Sequence, residues 1–139
     1  QKGEKTFHIL FVDEANSGPS QLAEHFTRKA FPQSGRYRSA GWQAAEEIDS
    51  AYLRFAQTVG IDLAKAWPAP LASLQPQLDE YHLVIGLDRE SRTRVGKVPF
   101  HTTMLVWDID AKAGPEGVYR QLTPRLRQLM ELLRGEQAS

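Results

Sequence analysis

The chain has no cysteine in 139 residues. That absence excludes disulfides, thiolate metal sites and every thiol-based mechanism. Nor does any apolar run approach the roughly 20 residues that would cross a bilayer, and no signal-peptide pattern is visible. Charge of one sign is lacking too: Lys plus Arg and Asp plus Glu stand at 17 each, so the field of the whole molecule steers it neither to nucleic acid nor to an anionic membrane. The histidines His8, His25, His82 and His101 share no metal-type spacing, and structural roles are expected of them. No internal repeat or low-complexity tract occurs. The expectations are therefore no metal, no cofactor, no nucleic acid, no direct insertion into a membrane, and a cytoplasmic location.

What is present suits one domain. The apolar fraction is 41%, ordinary for a globular protein, and the length supports a single core. The chain opens with Gln1 and the polar run QKGEKT, which fits either a piece of a longer polypeptide or a short tail. Residues 7–135 are expected to form the domain, with tails at 1–6 and 136–139.

Phe7 to Val12 (FHILFV) is a short apolar run of the kind buried in a parallel sheet. Leu22, Ala23, Phe26 and Ala30 then recur at helical spacing, with Ser17 or Ser20 as candidate caps. Arg36 to Ala40 predicts a second strand. Ile48, Ala51, Tyr52, Phe55 and Val59 predict a helix stopped by Gly60 in a left-handed cap. Ile61 to Leu78, with Pro68, Pro70 and Pro76, reads as a connection holding a short helical piece. His82 to Leu87 predicts a third strand, Asp88 to Val95 a short helix, and Thr103 to Trp107 a fourth strand. A closing helix carries the stripe Leu122, Leu126, Leu129 and Leu133, with Thr123-Pro124 starting or kinking it. Alternating strands and helices imply an α/β three-layer sandwich: a four-stranded parallel sheet, order 2-1-3-4, with helices on both faces. In such a sheet ligands gather at the carboxyl ends of the strands, where residues 13 to 20 fall.

The stretch ILFVDEANSGPSQLAE resembles the phosphate loop of the low-molecular-weight protein tyrosine phosphatases and the related thioredoxin-linked arsenate reductases. Those proteins place a cysteine, a short variable stretch, an arginine and a serine or threonine directly after the first strand. Asp13 falls on the cysteine position, Asn16 on the loop asparagine, Pro19 on the arginine and Ser20 on the hydroxyl residue; Leu22-Ala23-Glu24 matches the start of the next helix. The similarity continues in order through Ser39-Ala40-Gly41, Gly60-Ile61-Asp62-Leu63 and Tyr81-His82-Leu83-Val84-Ile85. It ends at Trp107-Asp108-Ile109-Asp110-Ala111, where Asp110 is the better match to the general acid. The resemblance implies the phosphatase I-like fold and identifies a degenerate member.

In the resembling family the thiolate attacks phosphorus, the arginine grips two oxygens, loop N–H groups cradle the rest and an aspartate protonates the leaving group. A loop of N–H groups at a helix start stabilises a thiolate, and the guanidinium fork fits phosphate bidentately. This chain has neither reagent, and Pro19 removes one N–H donor. The vestigial binding loop is Asp13, Glu14, Ala15, Asn16, Ser17, Gly18 and Ser20, with Gly18 free to take positive φ. The Asp13 carboxylate is expected to turn towards the loop N–H groups or the start of the next helix and supply the anion itself. No catalytic residue is assigned, and Asp110 is at most a remnant acid.

The expected function is that of a catalytically inactive pseudophosphatase, a regulatory or protein-interaction module acting on the rest of a longer chain or on a separate protein such as a membrane transporter or signalling protein. Two alternatives use Asp13 chemically. One is a Mg²⁺-dependent phosphatase with Asp13 as nucleophile, which wants a second acid two positions on, where Ala15 stands. The other is a receiver-like phosphoacceptor domain, which wants a strand-ending lysine that the chain lacks. Asp108 and Asp110 otherwise serve as loop caps or solvated carboxylates. Arg89, Arg92, Arg94 and Lys97 form a solvated helix face or meet an acidic partner. Trp42 and Trp67 are placed near the rim of the old substrate site, as interface or as core satellites, Asp108 is a further candidate rim residue, and recognition is expected through the face around residues 13–20, 42 and 108–114.

Overall fold

The computed structural model describes residues 6–138; of residues 136–138 only the backbone is described, so most of the expected end tails lies outside the described residues. Strands β1 (Phe7–Asp13), β2 (Gly35–Gly41), β3 (Leu83–Gly86) and β4 (Thr103–Val106) form one sheet in the order β2-β1-β3-β4, every pair parallel. The connections carry α1 (Pro19–Ala30), α2 (Ser50–Thr58), α3 (Leu71–Leu74) with 3₁₀ turns at Gln75–Glu80, and α4 (Ser91–Val95). After β4 a 3₁₀ turn, Ala111–Ala113, leads into α5 (Gly114–Ala138).

Side chains of β1 alternate between the sheet's two faces, as the period-2 pleat requires. Ile9 and Phe11 pack under α1, α2 and α5 with Leu22, Phe26, Tyr52, Leu122 and Leu126. Leu10 and Val12 pack on the other face with Leu71, Leu74, Leu78 and Val95. Burying both faces of β1 explains its unbroken apolar run.

In the closing helix Pro124 takes the second of its two expected places, inside the helix, where it removes one i to i−4 hydrogen bond; the buried stripe and the bounds differ from expectation. The fully buried stripe is Val118, Leu122, Leu126 and Met130, while Leu129 and Leu133 are only partly buried. The helix begins at Gly114, earlier than the leucines alone suggest, and its backbone stays helical to Ala138, past the expected domain end at 135. Gly60 does hold positive φ, at 78°, just after α2.

The order β2-β1-β3-β4 has a topological switch between β1 and β3, because the chain leaves β1 towards one edge and β3 towards the other. A crevice opens there at the strands' carboxyl ends. It is where the loop after β1 sits.

Candidate functional site

The loop is built from backbone outward. Its carbonyls turn away from the crevice: those of Asp13, Glu14, Ala15 and Ser17 accept from the N–H groups of Trp42, Gln43, Ala45 and Asp49. Gly41 permits this approach, since a Cβ there would lie 2.5 Å from the Glu14 carbonyl oxygen. With its carbonyls tied outward, the loop turns peptide N–H groups inward.

They meet Asp13. Its Oδ1 accepts from the Asn16 N–H at 2.9 Å and from the Ser20 hydroxyl at 2.8 Å, and its Oδ2 accepts from the Ser20 N–H at 3.0 Å. The residue is 8% exposed. Burial pushes its carboxyl above the ordinary carboxylate range, and nearby Asp88 adds to the rise; the Ser20 hydroxyl and the Asn16 and Ser20 N–H groups pull against it. Tyr52, packed close by, is pushed up to about 12 by burial first and by Asp49 and Asp13 second.

The candidate caps Ser17 and Ser20 do not cap α1. Its N-cap is Gly18, which has no side chain, and the second helical N–H, that of Ser20, is satisfied by Asp13 from the end of β1. Pro19 opens the helix, where a missing N–H costs the helix nothing. The expectation of positive φ at Gly18 is also corrected: its φ is −147°, and Asn16 takes the left-handed turn at 52°. Glycine is needed at 18 for room, because a Cβ would stand 2.9 Å from the Tyr52 ring.

Asn16 holds the loop from within. Fully buried, it donates to Ser20 Oγ at 2.7 Å, while its Oδ1 accepts from the Ala69 N–H at 2.8 Å. Sequence reasoning missed its partner Gln21. This side chain, 2% exposed, divides its two amide protons among Asn16 O, Asn16 Oδ1 and Trp67 O. The available signal was an amide one residue from the apolar helix face at Leu22 and Ala23.

The crevice itself is a cleft of about 190 Å³, lined chiefly by Asp13, Glu14, Pro19, Leu87, Asp88 and Ile109. Its charged side chains are all acidic. Ala15, Ser17, Gly18 and Ala111 complete the wall. Asp108 and Asp110 are not part of it: Asp108 pairs with Arg89 at 3.1 Å, and Asp110 caps the 3₁₀ turn by accepting from the Lys112 N–H at 3.0 Å. Trp42 also lies elsewhere, packed on the second core under the Arg94 guanidinium. Trp67 lines a different pocket. The arginine-rich segment engages locally, Arg89 with Asp108 and Arg94 with Glu90. His8 N–H donates to His82 Nδ1, and His101 and His25 bond backbone carbonyls. Among the described residues no group of three or more His, Asp or Glu side chains is placed to hold a metal ion, and no helix is long and apolar enough to cross a membrane.

No protein family model and no curated protein matches this sequence. Solved structures do. The thioredoxin-dependent arsenate reductase of Corynebacterium glutamicum superposes with a TM-score of 0.83 at 22% identity over 94% of this chain. The chain has the low-molecular-weight tyrosine phosphatase fold. The tyrosine phosphatase Wzb of Escherichia coli K30, in complex with sulphate, is similar at TM-score 0.77 and 21% identity, covering 93% of this chain and 99% of that one. YfkJ of Bacillus subtilis gives 0.79 at 17%, covering 95% and 97%. The chain spans 63% of the length of the Corynebacterium reductase. This phosphatase-type fold places Asp13, at the end of its first strand, on the floor of its crevice.

Proposed function

We propose that the chain is a pseudophosphatase domain, a phosphatase fold turned from catalysis to regulation or protein interaction. The observation that carries this reading is the seating of Asp13. Its carboxyl group takes the Asn16 and Ser20 N–H groups and the Ser20 hydroxyl, three of the donors that such a loop would offer to a guest oxyanion. Ionised, it repels an anion about 4 Å away by roughly 4 kcal/mol per unit charge at an intermediate dielectric. Protonated, it still occupies the donors. Pro19 stands where the resembling enzymes carry their arginine, so no cation answers the charge.

The domain works in the cytoplasm on the remainder of a longer chain or on a separate protein, a membrane transporter or signalling protein among the candidates. It presents a partner with the cleft whose acidic rim is Glu14 and Asp88 and whose apolar wall is Leu87 and Ile109.

Calorimetric titration with orthophosphate, and an assay of aryl phosphate hydrolysis with and without Mg²⁺, test the reading. No heat of binding and no turnover are expected. Micromolar phosphate affinity, or hydrolysis in either buffer, overturns it. Mg²⁺-dependent turnover lost in Asp13→Asn would assign the aspartyl-nucleophile mechanism instead, and stable labelling of an aspartate by a small phosphodonor would assign a receiver-like role.

A further inference from the structure

We propose that an open groove at the end of the sheet opposite the crevice is a self-association surface, with a second copy of this chain as its occupant. The groove, of about 680 Å³, runs between the segment before β3 (Pro76, Leu78, Asp79) and the loop before β4 (Lys97, Pro99, Phe100). Both segments enter the sheet at the amino ends of their strands, so the groove shares no residue with the crevice at the carboxyl ends.

Phe100 is the projection on this surface. It is fully exposed, more so than any other large apolar residue among the described ones. A single exposed aromatic is ordinary, but this one sits on a fastened turn. Thr102 N–H donates to the Pro99 carbonyl at 3.0 Å and closes a turn with Phe100 near its tip. The Thr102 hydroxyl donates to the Tyr81 carbonyl at 2.8 Å and His101 Nε2 to the Asp79 carbonyl at 2.8 Å, which ties the turn to the segment before β3. Pro99 fixes one φ of that turn. An aromatic carried on backbone that is already held loses little freedom on binding, and such anchors carry most of the energy of an interface.

The charges select the occupant. In a two-fold pair the same patch meets itself, so each charged group must find its opposite within that patch. The crevice fails this condition, because its charged side chains are all acidic and two copies repel there. The groove meets it with one acid and one base, Asp79 and Lys97. Both are exposed, and among the described residues neither enters an ion pair. The same patch supplies the apolar projection, Phe100, and apolar wall at Pro76, Leu78 and Pro99. A two-fold axis through the groove sets each Phe100 against the other copy's wall and each Lys97 towards the other copy's Asp79. With one aromatic anchor on each side the pair is weaker than a standard interface, which buries about 1,600 Å².

The test is sedimentation velocity of the whole chain over a series from micromolar to millimolar concentration. A reversible monomer–dimer equilibrium is expected, weakened about tenfold or more in Phe100→Ser, the scale of losing one anchor. Lys97→Glu and Asp79→Lys each place like charges together twice across the axis, so each variant alone should dimerise less than the parent. Their equimolar mixture should dimerise again, because each copy then carries the complement of the other's changed residue. All three side chains are exposed, so folding is not at stake. A parent that stays monomeric throughout, or a Phe100→Ser chain that dimerises as the parent does, overturns the proposal. Loss in the single charge variants without recovery in the mixture overturns it as well, since it would set the groove against some other surface.

Discussion

Ser20 grips both oxygens of Asp13, its backbone N–H on Oδ2 at 3.0 Å and its hydroxyl on Oδ1 at 2.8 Å. The last residue of β1 is thereby bonded to the first turn of α1, and the loop between them is closed by an internal carboxyl group. The same contact satisfies an N–H that a helix start leaves without a helical partner.

Removing that carboxyl group should cost stability. Asp13→Ala strips the acceptor from two buried N–H groups and a hydroxyl, and an unsatisfied buried donor costs about 1–3 kcal/mol. A loss of about 2 kcal/mol or more in urea denaturation at neutral pH is expected, with Asp13→Asn losing less because one acceptor oxygen remains. A variant as stable as the parent would show the contacts to be idle.

Stability should also depend on pH through this residue. Burial raises the folded-state pKa of Asp13 above its ordinary 3.8. Between the two values the folded chain holds a proton that the unfolded chain has released, so the contribution is fully present below the unfolded value and is lost as pH rises through the folded one. Urea midpoints of the parent and Asp13→Asn, measured from about pH 4 to about pH 8, isolate it. The parent should gain on the variant as pH falls; the opposite slope would contradict the raised value.

Gly18→Ala should be destabilising through one neighbour. The added methyl would meet the Tyr52 ring at 2.9 Å, and overpacking of this kind costs about 1–3 kcal/mol. In a Tyr52→Leu background the penalty should shrink, giving a coupling above about 0.5 kcal/mol in a double-mutant cycle. Strict additivity would place the strain in the backbone instead.

Restoring the two absent reagents tests what the loop retains. Asp13→Cys combined with Pro19→Arg removes the carboxylate and adds a guanidinium fork at the start of α1. A charge-assisted hydrogen bond contributes about 1.5–3 kcal/mol, so orthophosphate affinity should rise about tenfold or more over the parent by calorimetry. An unchanged affinity would mean that the cradle itself, and not only its reagents, has been lost.

Much of the architecture could be read from residue order. Buried strands announce themselves as short apolar runs, and the alternation with helical stripes leads to a parallel sheet of order 2-1-3-4. The loop's position after the first strand was equally legible, since β1 and the start of α1 are local features. The partners of Trp42, Asp108 and Asp110 were not, because sharing a loop cluster in sequence does not set which way a side chain turns. Trp42 went to Arg94, Asp108 to Arg89, and Asp110 to its own turn.

The sequence alone therefore determined the absence of thiol chemistry, the order of the elements and the presence of Asp13 and Pro19 at the ends of the loop after β1. These follow from residue type and short-range periodicity. Only the tertiary structure decided that Asp13 is turned inward onto Asn16 and Ser20, that Gln21 ties the loop to residues 67–69, and that Asp79 and Phe100 border one groove. Those relationships join residues on separate elements, and a hydrogen bond or cavity between them exists only once the sheet has set the distances.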